Sequence, residues 1–260
     1  MLTLYTTFRD FTPKRINVIQ RNAIQSWLRL TPRPEILVMG DDVGVKEACE
    51  EFDLKQVIVD TNEYGTPMLE DMMRKAENLA SYDNILLASG DIILLQDAIW
   101  SLQALENSNL DMFLGVSRKK NNMMINSAIS KKADWESYAR MFLRIDAPTS
   151  GDFFMYRKGF LDAMPQMPPF AIGRCRCDSW LIYEAWKQGF LVDLTETATA
   201  VHQMHDHKHV KRDGGVSPEI AKNRMYATET FCARIDNCNY RMTKNYKLEE
   251  NRNFYITTLC

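Results

Sequence analysis

The stretch Asn84–Leu95, NILLASGDIILL, limits what this chain can fold into more than any other segment. The apolar run Ile85-Leu86-Leu87-Ala88 meets Ser89-Gly90-Asp91 and passes straight into a second apolar run. Apolar residues at consecutive rather than alternate positions describe a strand covered on both faces, as in a parallel sheet between helices. A carboxylate between two such runs is costly to bury unless it is paired, hydrogen-bonded or bound to a metal. Asp91 therefore reads either as a turn residue capping the strand or as a ligand-binding carboxylate. Gly90 would let a ligand come close to the backbone beside it.

The residues before this stretch supply the rest of a sheet. Leu2–Thr7, Glu35–Met39 and Lys55–Val59 are β-prone runs. Between them, Lys14–Leu30 places Ile16, Ile19, Ala23 and Trp27 on one helical face, and Val45–Phe52 forms a short helix. A helix from about Pro67 to Ala80 buries Leu69, Met72, Met73, Ala76 and Leu79, with proline in its first turn. Another helix covers Gln96–Glu106. Strands alternating with helices in this way predict an open parallel α/β sheet, whose ligands sit at the carboxyl ends of the strands. Those ends are Thr6–Arg9, Gly40–Asp42, Asp60–Gly65 and Ser89–Asp91, all rich in small, polar or acidic residues.

The second half reads differently. Met112–Val116 is a strand, Ser117–Asn122 a solvated loop, Lys131–Leu143 a helix and Gly151–Tyr156 a strand with aromatic residues in series. Pro165–Arg174 is too proline-rich for regular structure. Ser179–Lys187 is a helix with Asp178 at its N-cap, Phe190–Leu194 a late strand, and a polar tail follows Val201–Val210. No clean linker divides the chain. The expectation is a single domain over 1–260, with a nucleotide-binding half (about 1–110) and an acceptor-side half (about 111–260).

Composition excludes several classes. Hydrophobic residues make up 45% and charged residues 25%, the profile of an ordinary globular protein. A formal charge of −2 argues against a nucleic-acid partner held through phosphates. No apolar run is long enough to span a bilayer, and the start MLTLYTTFRDF has no signal-peptide pattern. The 6 Cys lack a disulfide-framework spacing, which favours free thiols and a cytoplasmic location.

Two further groups carry chemistry. Val201–Val210 holds all 4 histidines, and His202, His205 and His207 flank Asp206 as candidate ligands for a first-row divalent metal. The spacing matches neither H-E-x-x-H nor a zinc finger, so a polar loop rich in histidine is the competing reading. Asp178 in CRCDSW serves as an N-cap or as a carboxylate fixed in a site, with Trp180 placed to stack on a ligand. Cys175 and Cys177 read as small buried thiols.

The pieces TTFRDF, TNEYGTPML, LLASGDIIL, FLGVSR, PPFAIGRCRCDSWLIYEA and TATAVHQMHDH, in this order from about Thr6 to His207, resemble the GT-A type of nucleotide-sugar-dependent glycosyltransferase. The resemblance is particularly to its small single-domain members from bacteria, plants and large DNA viruses. The family's acidic motif after the fourth strand is D-x-D or has Asn or Ser at its first place; here Ser89-Gly90-Asp91 leaves one carboxylate. The resemblance implies a GT-A-like, mostly parallel twisted sheet flanked by helices. It implies a nucleotide-sugar donor such as a UDP-sugar, a glycan acceptor, and Mn²⁺ or Mg²⁺ on Asp91 with His202 or His205. It places the base at Thr7, Phe8, Arg9 and Asp41, the ribose near Tyr64, Gly65 and Thr66, and the diphosphate near Ser89, Gly90 and Asp91. Arg174 and Trp180 fall on the acceptor side, and Asp178 matches the family's catalytic base in an inverting transfer.

Two other readings compete. A sugar-phosphate nucleotidyltransferase calls for a glycine-rich loop after the first strand, and TTFRDFTPKR has no glycine. A binding protein on a transferase fold, without turnover, fits the single carboxylate of the SGD motif.

Overall fold

The structure is a computed structural model that describes residues 1–122, 140, 144–145, 151–205, 217–227 and 234–251. The elements in the first part are β1 (Leu2–Thr7), α1 (Lys14–Trp27), β2 (Glu35–Met39), α2 (Val45–Phe52), β3 (Lys55–Val57), α3 (Leu69–Leu79), β4 (Asn84–Ala88), β5 (Ile92–Leu94) and α4 (Asp97–Glu106). After these come β6 (Leu114–Arg118), β7 (Lys120–Asn122), β8 (Arg144–Ile145), β9 (Gly151–Arg157), α5 (Phe160–Ala163) and α6 (Cys177–Lys187). The last are β10 (Leu191–Asp193), β11 (Ala200–Gln203), α7 (Pro218–Tyr226), β12 (Tyr240–Met242) and β13 (Leu248–Glu250).

A 9-stranded sheet runs in the order β13-β12-β10-β6-β9-β4-β1-β2-β3. Strands β3, β2, β1 and β4 are mutually parallel, and so are β6, β10 and β12. Strand β9 lies between the two groups and is antiparallel to both β4 and β6. The sheet is therefore mostly parallel, as expected, with helices on both faces.

Those helices explain the unbroken apolar runs. Successive side chains of a strand point to opposite faces, and here each face meets its own core. Ile85 and Leu87 enter the core lined by α3 and α6, while Leu86 and Ala88 enter the core lined by α1 and α4. Strand β9 does the same: Phe154 and Tyr156 go to the first core, Phe153 and Met155 to the second. Residues Ile85–Ala88 of β4 and Phe153–Tyr156 of β9 thus alternate between the two cores.

A second, 4-stranded sheet has the order β5-β11-β7-β8. Helix α1 fastens it to the main body through polar groups turned inward. The Trp27 indole N–H donates to the Ile92 carbonyl at 3.0 Å, and the Ser26 hydroxyl accepts the Leu94 N–H at 3.1 Å. Asn22 donates to the Gln203 side-chain oxygen at 3.1 Å. Each bond satisfies a group that would be expensive to bury alone.

Several expectations need correction. The run Ile92–Leu94 is a strand of the second sheet. Helix α3 begins at Leu69, because Pro67 is held outside it in a bridge to Thr61. The segment Ser117–Asn122 is mostly strand, divided between β6 and β7, and the polar tail contains the hairpin β12–β13. Helix α6 begins at Cys177, so Arg176 takes the N-cap position and Asp178 lies in the first turn. Apart from Arg140, the helix expected over 131–143 lies outside the described residues. Among the described residues no helix is long and apolar enough to cross a membrane.

Trp27 is fully buried and stacks on Phe8 with ring centroids 6.0 Å apart. Trp27→Ala removes that volume and leaves the Ile92 carbonyl without its donor. Urea unfolding is expected to show a loss of about 3–5 kcal/mol; a loss within 1 kcal/mol, roughly the level of a surface substitution, would contradict this account of the second sheet's attachment.

Candidate active site

The register of β5 against β11 builds the centre of the site. The two strands are antiparallel, with Ala200 opposite Leu94, Val201 opposite Ile93 and His202 opposite Ile92. One step beyond, the main-chain N–H of Gln203 donates to the Asp91 carbonyl at 3.3 Å, and its side-chain amide donates to the same oxygen at 3.0 Å. The late histidine segment is thereby fixed beside the SGD turn, far away in sequence.

The side chains converge. The Nε2 atoms of His205 and His202 lie 2.7 Å and 3.3 Å from Asp91 Oδ2. With one ligand atom from each residue, the three atoms lie within 4.8 Å of one another. The other carboxylate oxygen, Asp91 Oδ1, is buried and has no hydrogen-bond partner. Burial alone would raise the Asp91 pKa, but the two imidazoles outweigh it and hold the carboxyl far below its usual range. One carboxylate and two imidazoles, with a buried oxygen left unsatisfied, suit a divalent first-row cation. The resemblance called for one histidine of the pair; the structure brings both. His207 lies outside the described residues.

Ser89 and Gly90 have mainly internal partners. A Cβ on Gly90 would come within 2.7 Å of both the Thr7 carbonyl and the Phe8 ring, so the chain itself packs closely against this glycine. The Ser89 hydroxyl donates to Asp152 Oδ1 at 3.3 Å, and the Ser89 N–H to the Asp152 carbonyl at 3.1 Å. Asp152 Oδ2 in turn pairs with Lys119 at 3.0 Å.

Asp178 adjoins this group. Its Oδ1 accepts the Ser179 N–H at 2.9 Å. The partial positive charge at the start of a helix would by itself lower its basicity. Instead its pKa is raised to about 6, first by burial and then by the nearby negative charge of Asp152, with Ser179 and Lys119 opposing. The carboxylate is therefore a stronger base than the cap position alone suggested.

At the end of β1, Thr7 Oγ1 is buried without a hydrogen-bond partner. Gln20 grips the neighbouring main chain, accepting the Arg9 N–H at 2.8 Å and donating to the Arg9 carbonyl at 2.9 Å. Phe8 is turned into the core between Trp27 and Phe11, so its ring cannot stack on a nucleobase. Asp41 is exposed at the end of β2.

The Tyr64-Gly65-Thr66 turn is pre-formed. Asn62 Oδ1 accepts the N–H groups of Tyr64 and Thr66 at 2.9 and 3.0 Å, and Gly65 takes a positive φ of 79°. Tyr64 is exposed and Thr66 buried. Arg174, expected on the acceptor, pairs instead with Glu219 at 2.8 Å and donates to Thr66 Oγ1 at 2.9 Å. Trp180, expected to stack on the acceptor, is 5% exposed and packed against Phe170. Trp180 is therefore core and not a stacking surface, while Arg174 ties the turn to α7.

Sequence reading missed Asp152, Lys119, Gln203 and the Asn62–Glu219 pair. The one available signal was Asp152, a carboxylate opening the aromatic run GDFFMY.

Neither a family model nor a curated protein sequence matches the chain. Solved structures do. The chain overlays on GalNAc-T7, solved with UDP, GalNAc and Mn²⁺, at TM-score 0.54 and 13% identity, covering 88% of this chain and 47% of that one. It overlays on glucosyl-3-phosphoglycerate synthase from Mycobacterium tuberculosis, solved with Mn²⁺, UDP and glucosyl-3-phosphoglycerate, at TM-score 0.50 and 14% identity, covering 88% and 80%. Two further matches, the S. aureus TarS 1-349 structure and a CMP:2-keto-3-deoxy-manno-octonic acid synthetase, have TM-scores of 0.43 and 0.45. This chain spans 58% of the former and 98% of the latter. The overlays on GalNAc-T7 and on the mycobacterial synthase give the chain the fold of the GT-A glycosyltransferases.

Proposed function

We propose that the protein is a glycosyltransferase that moves a sugar from a nucleoside diphosphate sugar, a UDP-sugar first, to a hydroxyl of a glycan or glycoconjugate acceptor. The observation that carries this reading is the convergence of Asp91, His202 and His205 at the carboxyl end of β4. The solved structures with the same fold support it, since two of them hold UDP and Mn²⁺.

Asp91, His202 and His205 would hold Mn²⁺ or Mg²⁺, which when bound offsets the negative charge of a leaving diphosphate. The buried Thr7 hydroxyl, Asp41 and the pre-formed Tyr64–Thr66 turn line the donor side. Asp178, raised to about 6, is ionised at neutral pH and accepts the proton of the acceptor hydroxyl as it attacks the anomeric carbon. Burial supplies most of that basicity, the charge of Asp152 adds to it, and Lys119 pairs with Asp152. Transfer with inversion is the outcome that a single base of this kind serves.

Asp91→Ala is expected to weaken UDP binding at least about tenfold in Mn²⁺ and much less in EDTA; calorimetry measures both. An equal loss in the two conditions would make Asp91 structural and remove the observation on which the function rests. His202→Ala and His205→Ala should each reproduce the effect in part.

Asp178→Asn keeps the first turn of α6 but cannot accept a proton. Turnover should fall by about 10² or more while UDP affinity holds; wild-type turnover would move the base elsewhere.

The pH dependence follows from the raised value. Only ionised Asp178 is a base, so kcat/KM should climb as pH rises through about 6 and level off above it. Asp152→Asn removes a negative neighbour, favours ionisation and should move that limb to lower pH. Folding responds with the opposite sense: the folded value exceeds the ordinary 3.8, so this group's contribution to stability declines from pH 3.8 to about 6.

A further inference from the structure

At the β13 edge of the sheet, Trp100 stands 48% exposed on α4. Tyr246 meets it edge-on, with ring centroids 6.3 Å apart and planes at 86°. Tyr246 occupies the turn between β12 and β13 at a φ of 56°, a left-handed conformation that is costly for a bulky side chain. The turn is closed by the Tyr246 N–H on the Thr243 carbonyl at 2.8 Å and the Thr243 N–H on the Lys247 carbonyl at 2.9 Å. Beside the two rings opens a cavity of about 930 Å³, within the usual size of small-ligand sites.

The place of this cavity separates it from the transfer site. Across the sheet, β10, β6 and β9 stand between β12 and β4.

The lining selects the ligand class. Besides the aromatic rings it presents the neutral side chains of Gln103, Asn107 and Asn109, and its charges, Lys247 and Glu250, cancel. An acyl chain or an apolar peptide would bury those amides without partners, which costs free energy. A polyanion would need a net positive surface. A saccharide suits both parts: its C–H face packs on an aromatic ring, and its hydroxyls exchange hydrogen bonds with amides. We propose that the cavity between α4 and the β12–β13 hairpin binds a neutral oligosaccharide, apart from the transfer site.

The probe is an array of neutral oligosaccharides built from hexoses, N-acetylhexosamines and deoxyhexoses, read with the full chain. The wild type should bind a subset. Trp100→Ala, which loses the edge contact with Tyr246, should lower Tm by only a few degrees and lower that affinity about tenfold, equivalent to ~1.4 kcal/mol. Gln103→Ala, on the exposed face of the same helix, should also weaken it and decides the matter if the tryptophan variant folds poorly. Asp91→Ala should keep array binding whether or not the proposed transfer reaction is correct. Absence of binding by the wild type, binding unchanged in Trp100→Ala and Gln103→Ala, or binding abolished by Asp91→Ala would each overturn the proposal.

Discussion

The pairing of β5 with β11 is the constraint on which the rest of the site depends. It joins a segment just past Asp91 to one more than a hundred residues later, and it fixes the register in which His202 and His205 meet the carboxylate. Gln203 locks that register. It takes hydrogen bonds to the Asp91 carbonyl, the Ile19 carbonyl and Asn22, tying the SGD turn, helix α1 and the histidine strand at one buried point. A slip of one residue would turn His202 to the other face of its strand and would cost Gln203 its partners.

Much of this fold is legible in the sequence because it follows from local pattern. The unbroken apolar run of Ile85–Ala88 implies two covered faces, and the two cores on either side of β4 are those faces. Amphipathic spacing located α1, α2 and α3 to within a few residues. The antiparallel insertion of β9 has no local signature, since GDFFMYR reads the same in either direction. The short strands of the second sheet are hidden for a related reason: three or four residues carry too little periodicity to stand out.

In the candidate site, residue types were readable but partners were not. Asp91 and the late histidines stood out as costly or unusual residues, and the structure brings them together. Phe8, Arg174 and Trp180 sat in the right segments, yet their side chains are committed to Trp27, Glu219 and Phe170. Direction and pairing depend on neighbours distant in sequence. The same is true of acidity: Asp91 and Asp178 are both largely shielded carboxylates, but imidazoles drive one down while burial and Asp152 drive the other up. Two acids of one kind are thus separated into a permanent anion and a group that titrates within the physiological range.

The position of β9 has a consequence for how the chain is made. Until residues 151–157 leave the ribosome, β4 presents an open row of N–H and C=O groups with apolar side chains on both faces. Such an edge pairs readily with foreign strands, and chain growth at about 5–20 residues/s leaves it waiting for seconds. The N-terminal half cannot close on its own during synthesis, so holding chaperones or prompt completion of translation become conditions for a good yield.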